Sequence, residues 1–451
     1  MRQTLFYIPA VIAGRPVFGF GLLLFVWAVV SAAVLLRLWR RHGFGRELAE
    51  VLPTLLLVGA IIAWILPALV EYDGDGVPLG LPIRGYGVMV LLAITAATAL
   101  AAWRAKSYGL NAEQVLTLLF WLLVPGIIGA RAFYVIEYWP EYWRAYTEPG
   151  GGLRPFLVGV VNIARGGLVI YGAILGGLAG LWLFARKYRH PPLTVADLVS
   201  PSLMLGLALG RIGCFLNGCC FGGVCECSWA VRFPPEAPAY LAQVQRGQFY
   251  GFALTNNSAA EPKVLEVKAG SPADQAGLQP GDVILNINRL AVSNAGEAFA
   301  VLAEMFHQRQ PLELRLKGRS ELLIIPAVEP PPRSLPVYPT QLISAVNALL
   351  LSLVLLGRSC FRRREGEISA LMFTLYPVVR FVEEILRDDE AAVFGTGMSI
   401  SQNISVILLV CAVGLWCYIL HCPTKNRVAP ALSSSPVAAK DTASSKSRSG
   451  K

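Results

Sequence analysis

Three charged residues in the C-terminal third of the chain are spaced so that they could bind an anion together. Arg380, Glu384 and Arg387 stand at positions i, i+4 and i+7, which predicts that all three share one face of a helix. A further cation, Arg211, shares a predicted helical face with Cys214. Guanidinium groups that outnumber carboxylates suit a phosphate, because arginine makes two parallel hydrogen bonds to phosphate oxygens. The pattern therefore predicts a phosphate-binding site.

Cysteines form a second group with chemical potential. Five of the nine crowd together, at Cys214, Cys219, Cys220, Cys225 and Cys227. Disulfides are the first interpretation, because the membrane topology places the cluster outside the cytoplasm, where oxidation is permitted. The odd count leaves Cys214 as the expected free thiol. A metal site and thiol–disulfide exchange are alternatives, but the spacing matches no common zinc pattern and the chain has no C-x-x-C. No metal and no other cofactor is therefore predicted.

The composition indicates that these residues are positioned by membrane-spanning helices. Hydrophobic residues make up 55% of the chain and charged residues only 15%, against about 25% charged in a typical soluble domain. Apolar stretches long enough to cross a bilayer occur near 17–36, 51–70, 86–103, 115–134, 167–185, 198–217, 340–357, 368–386 and 402–420. The predicted fold is an all-α polytopic membrane bundle of about nine transmembrane helices. In the fifth stretch, Gly172, Gly176 and Gly180 form two G-x-x-x-G steps that predict close helix packing.

The distribution of cations predicts the orientation in the membrane. The short loops on one side carry Arg37, Arg40, Arg41, Arg46, Arg104, Lys106, Arg186, Lys187, Arg189, Arg358, Arg362, Arg363 and Arg364. Those on the other side carry only Arg144, Arg154, Arg165 and Arg387. Because cytoplasmic loops are enriched in Lys and Arg, the N-terminus is predicted outside and the C-terminus in the cytoplasm. The net charge of +10 then reflects topology, and a nucleic-acid partner is not expected.

With this orientation, the polar residues at the span ends gather toward the outer leaflet. They are Arg84, Tyr86, Arg131, Tyr134, Arg165, Tyr171, Arg211, Asn217, Gln341, Arg380, Glu384, Arg387, Ser399, Ser401 and Gln402. Charges inside a membrane are costly and are therefore candidates for a functional site. Snorkelling and interhelical ion pairs are the alternative for any single arginine. A phospholipid headgroup is the obvious phosphate at this depth.

The loop between the sixth and seventh stretches contains a soluble insert. Its segment 270–285, GSPADQAGLQPGDVIL, resembles a PDZ domain of the bacterial protease-associated type, and the resemblance extends over 249–328. It implies a small α/β domain with a carboxylate-binding loop at Gly251, Phe252, Ala253 and Leu254 and a groove helix at Ala295–Met305. Such a domain offers an open strand edge to an extended peptide. The alternative is a docked structural lid with an empty groove.

The membrane segments carry a second resemblance. Residues 209–222, LGRIGCFLNGCCFG, resemble the signature of the prolipoprotein diacylglyceryl transferase family. Further pieces match in order, at Arg84–Gly87, Gly129–Arg131, Gly166–Leu168, Tyr338–Leu342, Tyr376–Arg387 and Ser399–Gln402. The resemblance covers the third to the ninth stretch, so the first two stretches and the PDZ insert look like additions.

This resemblance implies a bacterial inner-membrane enzyme. The family transfers diacylglycerol from phosphatidylglycerol to the lipobox cysteine thiol of a prolipoprotein, and glycerol phosphate leaves. The positions of Arg211 and Arg380 are those implied to hold the lipid phosphate, with Tyr86 and Glu384 in the same site. The substrate-binding residues predicted around them are Arg84, Arg131, Asn217, Gln341, Arg387, Ser401 and Gln402.

The sequence departs from the family pattern at three positions. The usual His of Gly-Gly-x-x-x-His-Gly is Tyr171, the usual Asn after the signature Arg is Cys214, and the usual Glu is Cys219. A thiol with a pKa of about 8.5 needs only modest help to ionise at neutral pH. Tyr171, Glu384 or the field of nearby arginines could supply that help, so Tyr171 is included among the predicted catalytic residues.

Two other functions are weighed against the transferase. One is a non-catalytic relative that binds lipid and uses the PDZ domain to bind an envelope peptide; the other is a membrane thiol oxidoreductase. An intramembrane metalloprotease is disfavoured because the chain has no H-E-x-x-H. The predicted organisation is 1–83 as two additional helices and a linker, 84–235 and 336–421 as the transferase-like halves, 249–328 as the PDZ domain on the outer side, and 423–451 as a disordered cytoplasmic tail.

Overall fold

The computed structural model is mostly helical and describes residues 3–42, 46–73, 75–147, 152–162, 166–387, 392–393 and 396–421. The predicted tail at 423–451 and Arg165 lie outside the described residues. The helices are α1 (Leu22–His42), α2 (Arg46–Ala60), α3 (Leu66–Ala68), α4 (Gly85–Arg104), α5 (Ala112–Glu137), α6 (Trp139–Thr147), α7 (Leu153–Val161), α8 (Ile170–Tyr188), α9 (Pro192–Asn217), α10 (Pro238–Gln245), α11 (Pro272–Gln275), α12 (Ala295–His307), α13 (Thr340–Ser359), α14 (Glu367–Glu384) and α15 (Ile400–His421).

The strands are short, in keeping with a helical protein. They are β1 (Thr4–Ile8), β2 (Val11–Ile12), β3 (Arg15–Pro16), β4 (Glu71–Tyr72), β5 (Pro78–Arg84), β6 (Phe252–Leu254), β7 (Val264–Val267), β8 (Ile284–Ile287), β9 (Leu290–Ala291), β10 (Leu312–Leu316), β11 (Leu322–Ile325), β12 (Ala392–Val393) and β13 (Met398–Ser399). The sequence does not predict the first of the sheets, in which β5 lies between β1 and β4. This sheet ends at Arg84, directly before α4.

Seven helices of the described chain are long and apolar enough to cross a membrane. They comprise Leu22–Arg41, Val51–Ala68, Gly85–Tyr108, Ala112–Glu137, Pro192–Asn217, Thr340–Ser359 and Ile400–His421. Helices α8 and α14 occupy the other two predicted stretches but are less apolar, because α8 ends with Arg186 and Lys187 and α14 carries four charged residues. A multi-pass membrane protein is thus supported, and the count of nine remains a prediction. The first helix begins at Leu22, later than predicted, after a turn in which Gly19 has φ +71°.

The chain divides into two compact units. The first comprises 1–96, 204–350 and 377–407, and the second comprises 97–203, 351–376 and 408–451. In the second unit, α5 and α8 pack closely through the predicted glycines. A Cβ at Gly176 would lie 2.1 Å from the carbonyl oxygen of Pro125, and one at Gly180 would lie 1.8 Å from that of Trp121. The packing role of the G-x-x-x-G steps is confirmed.

The insert has its own hydrophobic core inside the first unit. Strands β8, β9, β10 and β11 form an antiparallel sheet, and β6 pairs with β7. Helix α12 buries Leu302 and Phe306 in the core beneath them. The core also includes Tyr240 and Val244 of α10. This packing unit therefore begins before residue 249, the start expected from the sequence.

Candidate active site

Glu384 is the carboxylate around which the predicted cations are arranged. It is buried in the last turn of α14 and forms an ion pair with Arg380, one turn earlier. Arg387 Nε lies 3.7 Å from Glu384 Oε2. Ser399 Oγ donates to Glu384 Oε1 at 2.9 Å. One carboxylate facing two guanidinium groups leaves this buried group with net positive charge, which favours an anionic ligand.

Arg387 reaches this group by a different route from the one expected. The prediction that all three charged residues share one helical face is wrong for Arg387, because α14 ends at Glu384. The amides of Ile385, Leu386 and Arg387 then bond three residues back, which tightens the chain into a turn. Arg387 forms an isolated antiparallel bridge with Gly222. The bridge joins the end of α14 to the cysteine-containing segment.

The start of α15 supplies further polar groups. Arg380 Nη2 donates to Ser401 Oγ at 2.9 Å, so Ser401 fixes the orientation of the guanidinium. The amide of Gln402 donates to Ser399 Oγ at 3.2 Å, and the amide of Ser399 donates to Gln402 Oε1 at 3.1 Å. These reciprocal bonds form a capping box at the helix N-terminus. Gln402 is predicted to bind substrate, but its side-chain oxygen accepts a hydrogen bond within the capping box.

Three of the five clustered cysteines come together. The Sγ atoms of Cys214, Cys219 and Cys220 all lie within 4.8 Å of one another. The chain reverses at Gly218, where φ is +77°, and Cys220 keeps a left-handed φ of +56°. The amide of Cys219 donates to the carbonyl of Cys214 at 3.2 Å. This reversal places two thiols over the last turn of α9, which carries the third.

The predicted disulfides are absent from the structure, in which all five clustered cysteines are free thiols. The metal site that the sequence left as an alternative gains support, since three sulfur atoms at this separation could hold an ion. The sequence spacing did not reveal it because the turn at Gly218 makes neighbours of thiols five and six residues apart. Hydrogen bonds with the Cys214 and Cys219 thiols, together with the fields of Arg387 and Arg211, lower the pKa of the Cys220 thiol.

The first residues of α13 hold the cysteine loop in place. Gln341 Nε2 donates to the carbonyl of Cys219 at 2.7 Å, and Thr340 Oγ1 donates to that of Cys220 at 2.8 Å. Both side chains are buried. Gln341 Oε1 is buried and has no hydrogen-bond donor among the described residues. This predicted substrate-binding residue thus positions the loop with one atom and keeps an acceptor available with the other.

Tyr86 and Arg211 lie at the meeting point of α4 and α9. A Cβ at Gly213 would lie 3.3 Å from the ring of Tyr86, so this glycine permits the two helices to approach. The hydroxyl of Tyr86 lies within electrostatic range of Cys214 and Arg211. Arg211 also acts on Cys220. The structure therefore brings both predicted catalytic residues to the thiol group.

Two other predicted substrate-binding residues have protein partners in the same unit. Arg84 Nη2 forms an exposed ion pair with Glu71 Oε1 at 2.8 Å, at the edge of the N-terminal sheet. The carbonyl of Asn217 accepts from Gln3 Nε2 at 3.1 Å. Both contacts come from a part of the chain that the family resemblance does not cover, so the sequence does not indicate them.

Arg131 and Tyr171 belong to the second unit, where Tyr171 is the second residue of α8. Every nitrogen of the Arg131 guanidinium is engaged. The acceptors are the carbonyls of Val160, Gly166, Gly167 and Gly159 and the hydroxyl of Tyr142, at 2.6 to 3.0 Å. Arg131, predicted to bind substrate, instead ties α5 to the segment before α8 and has no donor left for a phosphate.

A second carboxylate next to the site is not predicted by the sequence. Glu383 is buried, and its oxygens accept from Ser344 Oγ and Asn347 Nδ2 of α13, each at 2.6 Å. Adjacent residues on a helix point in different directions, so Glu383 faces α13 while Glu384 faces Ser399. The three-residue spacing of Ser344 and Asn347 is the signal that could have indicated this contact.

The predicted peptide groove of the insert is closed by the chain itself. The amide of Leu254 donates to the carbonyl of Arg246 at 3.1 Å, and that of Phe252 donates to Gly247 at 3.4 Å. The ring of Tyr240 lies 6.4 Å from that of Phe306 on α12. The expectation of an open strand edge is therefore wrong in this structure, because Arg246 and Gly247, which directly follow α10, occupy it.

Comparison with known proteins identifies the family of the chain. The family model described as prolipoprotein diacylglyceryl transferase matches residues 77–418. A phosphatidylglycerol–prolipoprotein diacylglyceryl transferase of Rhodopirellula baltica is 32% identical, covering 92% of this chain and 88% of its own length. A relative of that name, numbered 2, from Clostridium perfringens is 25% identical over 75% of this chain and 91% of its own length. The chain therefore belongs to the prolipoprotein diacylglyceryl transferase family.

Proposed function

We propose that this protein transfers diacylglycerol from phosphatidylglycerol to the lipobox cysteine thiol of prolipoproteins. The observation that carries the proposal is the buried, net-cationic group in which Arg380 and Arg387 share Glu384 beside Ser399 and Ser401. A phosphodiester headgroup fits such a site, because the guanidinium groups satisfy its oxygens by charge-assisted hydrogen bonds. The chemical reaction itself is inferred from membership of the prolipoprotein diacylglyceryl transferase family.

The cations have a catalytic as well as a binding role in this proposal. Arg211 and Arg380 hold the phosphate of phosphatidylglycerol, and negative charge accumulates on that phosphate as the carbon–oxygen bond breaks. Fixed positive charges that face developing negative charge stabilise the transition state. Glu384 keeps both arginines oriented, while Tyr86 contributes a hydroxyl group to the reaction. The catalytic role of Tyr171 stays a prediction. Arg84, Asn217, Gln341 and Ser401 line the substrate side.

We propose the bacterial inner membrane as the location, with nine spans. Helices α8 and α14 then cross the bilayer in spite of their charges, which lie near their ends. The N-terminus and the insert lie outside, on the side where a secreted prolipoprotein emerges. The C-terminus lies in the cytoplasm with the cation-rich loops.

We propose that the insert is a PDZ-type domain held closed by α10. A free carboxylate would have to displace Arg246 and Gly247 from the edge of β6 before it could bind. The ligand class is an envelope peptide, which would add as a strand to the edge of β6. Strand addition would use the backbone groups of β6 that now bond to Arg246 and Gly247.

The activity is tested with the full-length protein in phosphatidylglycerol nanodiscs and a lipobox peptide. The expected product is a thioether-linked diacylglyceryl peptide, with release of glycerol phosphate, detected by mass spectrometry. A peptide with Ser in place of the lipobox Cys is the substrate control and should give no product. Arg380→Lys should reduce the rate strongly, whereas Arg289→Lys in the insert is the matched control. Folded protein that binds phosphatidylglycerol but makes no product would instead indicate a non-catalytic lipid-binding relative.

A further inference from the structure

The thiol group formed by Cys214, Cys219 and Cys220 has the composition of a metal site. Its three sulfur atoms lie within 4.8 Å of one another. Three thiolates around Zn²⁺ at about 2.3 Å would be separated by about 3.8 Å, so binding requires the sulfurs to close by no more than about 1 Å.

The backbone around the thiols is held in one conformation by several contacts, more than packing of three cysteines would require. Cys220 holds a left-handed φ of +56°, which costs free energy for a residue other than glycine. Thr340 and Gln341 of α13 anchor the carbonyls of Cys220 and Cys219. At Gly218 a Cβ would lie 2.8 Å from that of Ala237, so the reversal requires glycine. The loop is therefore held from both sides in the conformation that groups its thiols.

The ligand set leaves one coordination position open. Among the described residues, no fourth His, Cys, Asp or Glu joins the three sulfurs at this separation. Structural zinc sites are closed by four protein ligands, whereas catalytic zinc sites have three and reserve the fourth for water or substrate. Soft thiolate ligands select zinc or copper(I) over magnesium and calcium. A reaction that must bind and release a thiol without redox change favours zinc.

The three thiols also lie close in the chain to the proposed phosphate site. Arg387 forms an antiparallel bridge with Gly222, two residues after Cys220. Arg387 is in turn 3.7 Å from Glu384, the partner of Arg380. A thiol held by an ion at the three cysteines would therefore lie beside the cations that hold the lipid phosphate.

We propose that Cys214, Cys219 and Cys220 bind one Zn²⁺ ion, which takes the lipobox cysteine thiol of the prolipoprotein as its fourth ligand and activates it. This inference rests on the transferase function proposed above. It explains how the chain generates a nucleophile although none of the histidines whose side chains the structure describes, His190, His307 and His421, joins the thiol group. Metal coordination deprotonates a thiol outright.

The reaction balances without a further reagent. When the lipobox thiol binds zinc, its proton passes to water at the membrane surface. The sulfur electron pair then forms the bond to the glyceryl carbon that carries the phosphate. The bond between that carbon and the phosphate oxygen breaks, and its electron pair leaves with glycerol phosphate. The thioether that forms is a weak zinc ligand, so the product dissociates and the coordination position is free again.

Metal binding is tested on the purified full-length protein. Elemental analysis should find one zinc per chain, lost after Cys219→Ala and retained in the control Cys360→Ser/Cys417→Ser, which changes exposed cysteines elsewhere. Replacement of zinc by Co²⁺ should give a thiolate-to-cobalt charge-transfer band. This band should strengthen with the lipobox peptide and stay unchanged with its Ser analogue. Protein without bound metal, or with copper in place of zinc, would overturn the assignment.

The catalytic role is tested by chelation and reconstitution of the unaltered protein, which avoids any variant that fails to fold. A free thiol with a pKa of about 8.5 is only about 3% ionised at pH 7, so removal of zinc should slow transfer about 30-fold. The rate of the zinc-free protein should rise about tenfold per pH unit below that pKa, while the zinc-bound rate stays flat. Zinc binding with an unchanged rate and pH profile would overturn the activating role. If the cobalt band responds to the thiol peptide but no lipidated product forms, the transferase function fails and the thiol-binding metal site stands.

Discussion

Arg380 forms an ion pair with Glu384 one helical turn later on α14, and both side chains are nearly inaccessible to solvent, at 11% and 3% exposure. Isolating such a pair in a buried site is costly unless further hydrogen bonds satisfy the remaining atoms. Ser401 and Ser399 supply those bonds, one to each partner. The pair is therefore held rigidly, which suits a site that must present a guanidinium to a phosphate in a fixed orientation.

Glu384→Gln should impair transfer much more than it impairs folding. The amide keeps the shape of the side chain and can still accept from Ser399, but it no longer neutralises Arg380 and Arg387. Both arginines then lose their orientation toward the phosphate, and we expect the rate to fall by about 10² or more. Initial rates of diacylglyceryl peptide formation measure this.

Glu383→Gln is the matched control, because it alters the neighbouring carboxylate on the same helix. Glu383 accepts from Ser344 and Asn347 and has no contact with the arginines in the described structure. We expect a loss of about 1–3 kcal/mol in stability, seen as a lower unfolding temperature, with rates near those of the unaltered protein. Equal loss of activity in both variants would contradict the separate roles assigned to the two residues.

Arg131→Lys should loosen a segment of the second unit without weakening lipid binding directly. Lysine cannot reproduce the planar set of bonds to Val160, Gly159, Gly166 and Gly167. We expect a cost of about 2–4 kcal/mol and faster amide hydrogen exchange across 152–162. A large rise in KM for phosphatidylglycerol with unchanged exchange would instead assign Arg131 to the substrate.

Gly176→Ala should disrupt the packing of α5 on α8. The added Cβ would lie 2.1 Å from the carbonyl oxygen of Pro125, a distance that forces the two backbones apart. Gly177→Ala is the control on the same helix, because nothing lies within 4 Å of its Cβ. Alanine favours a helix over glycine by up to about 1 kcal/mol, so the control should be neutral or stabilising. Thermal unfolding in detergent distinguishes the two, and equal unfolding temperatures would refute the close packing.

The sequence predicts the helices and the residues at their ends better than the contacts among those residues. Periodicity and hydropathy are local properties, so the apolar stretches and the relation of Arg380 to Glu384 are foreseeable. The position of Arg387 depends on where α14 ends, and the grouping of the cysteines depends on a turn at Gly218. Both are decided by tertiary contacts that no local pattern contains.

Local pattern also fails to predict the role of some polar residues at the span ends, although it locates the residues themselves. An arginine near a span end can meet a ligand or a set of carbonyls, and its spacing does not tell which. Arg131 meets carbonyls because the fold brings the oxygens of Gly159, Gly166 and Gly167 to its guanidinium group. Gln402 takes part in the capping box of α15 because Ser399 stands three residues before it, and this spacing is visible in the sequence.

The closed groove of the insert leads to the last prediction. Tyr240 fastens α10 to the insert, since its ring is buried against Phe249 and Phe306 and its hydroxyl donates to the carbonyl of Pro331 at 3.0 Å. Tyr240→Ala removes these contacts at a cost of about 3–5 kcal/mol and should release the edge of β6. Affinity for a peptide with a hydrophobic, free C-terminus should then rise at least tenfold, which corresponds to about 1.4 kcal/mol.

Fluorescence anisotropy with full-length protein measures this, and hydrogen exchange verifies that the sheet of the insert stays folded. Leu241→Ala, at an exposed position on the same helix, is the control. Tight binding by the unaltered protein, or none by a folded Tyr240→Ala variant, would show that α10 does not gate the groove.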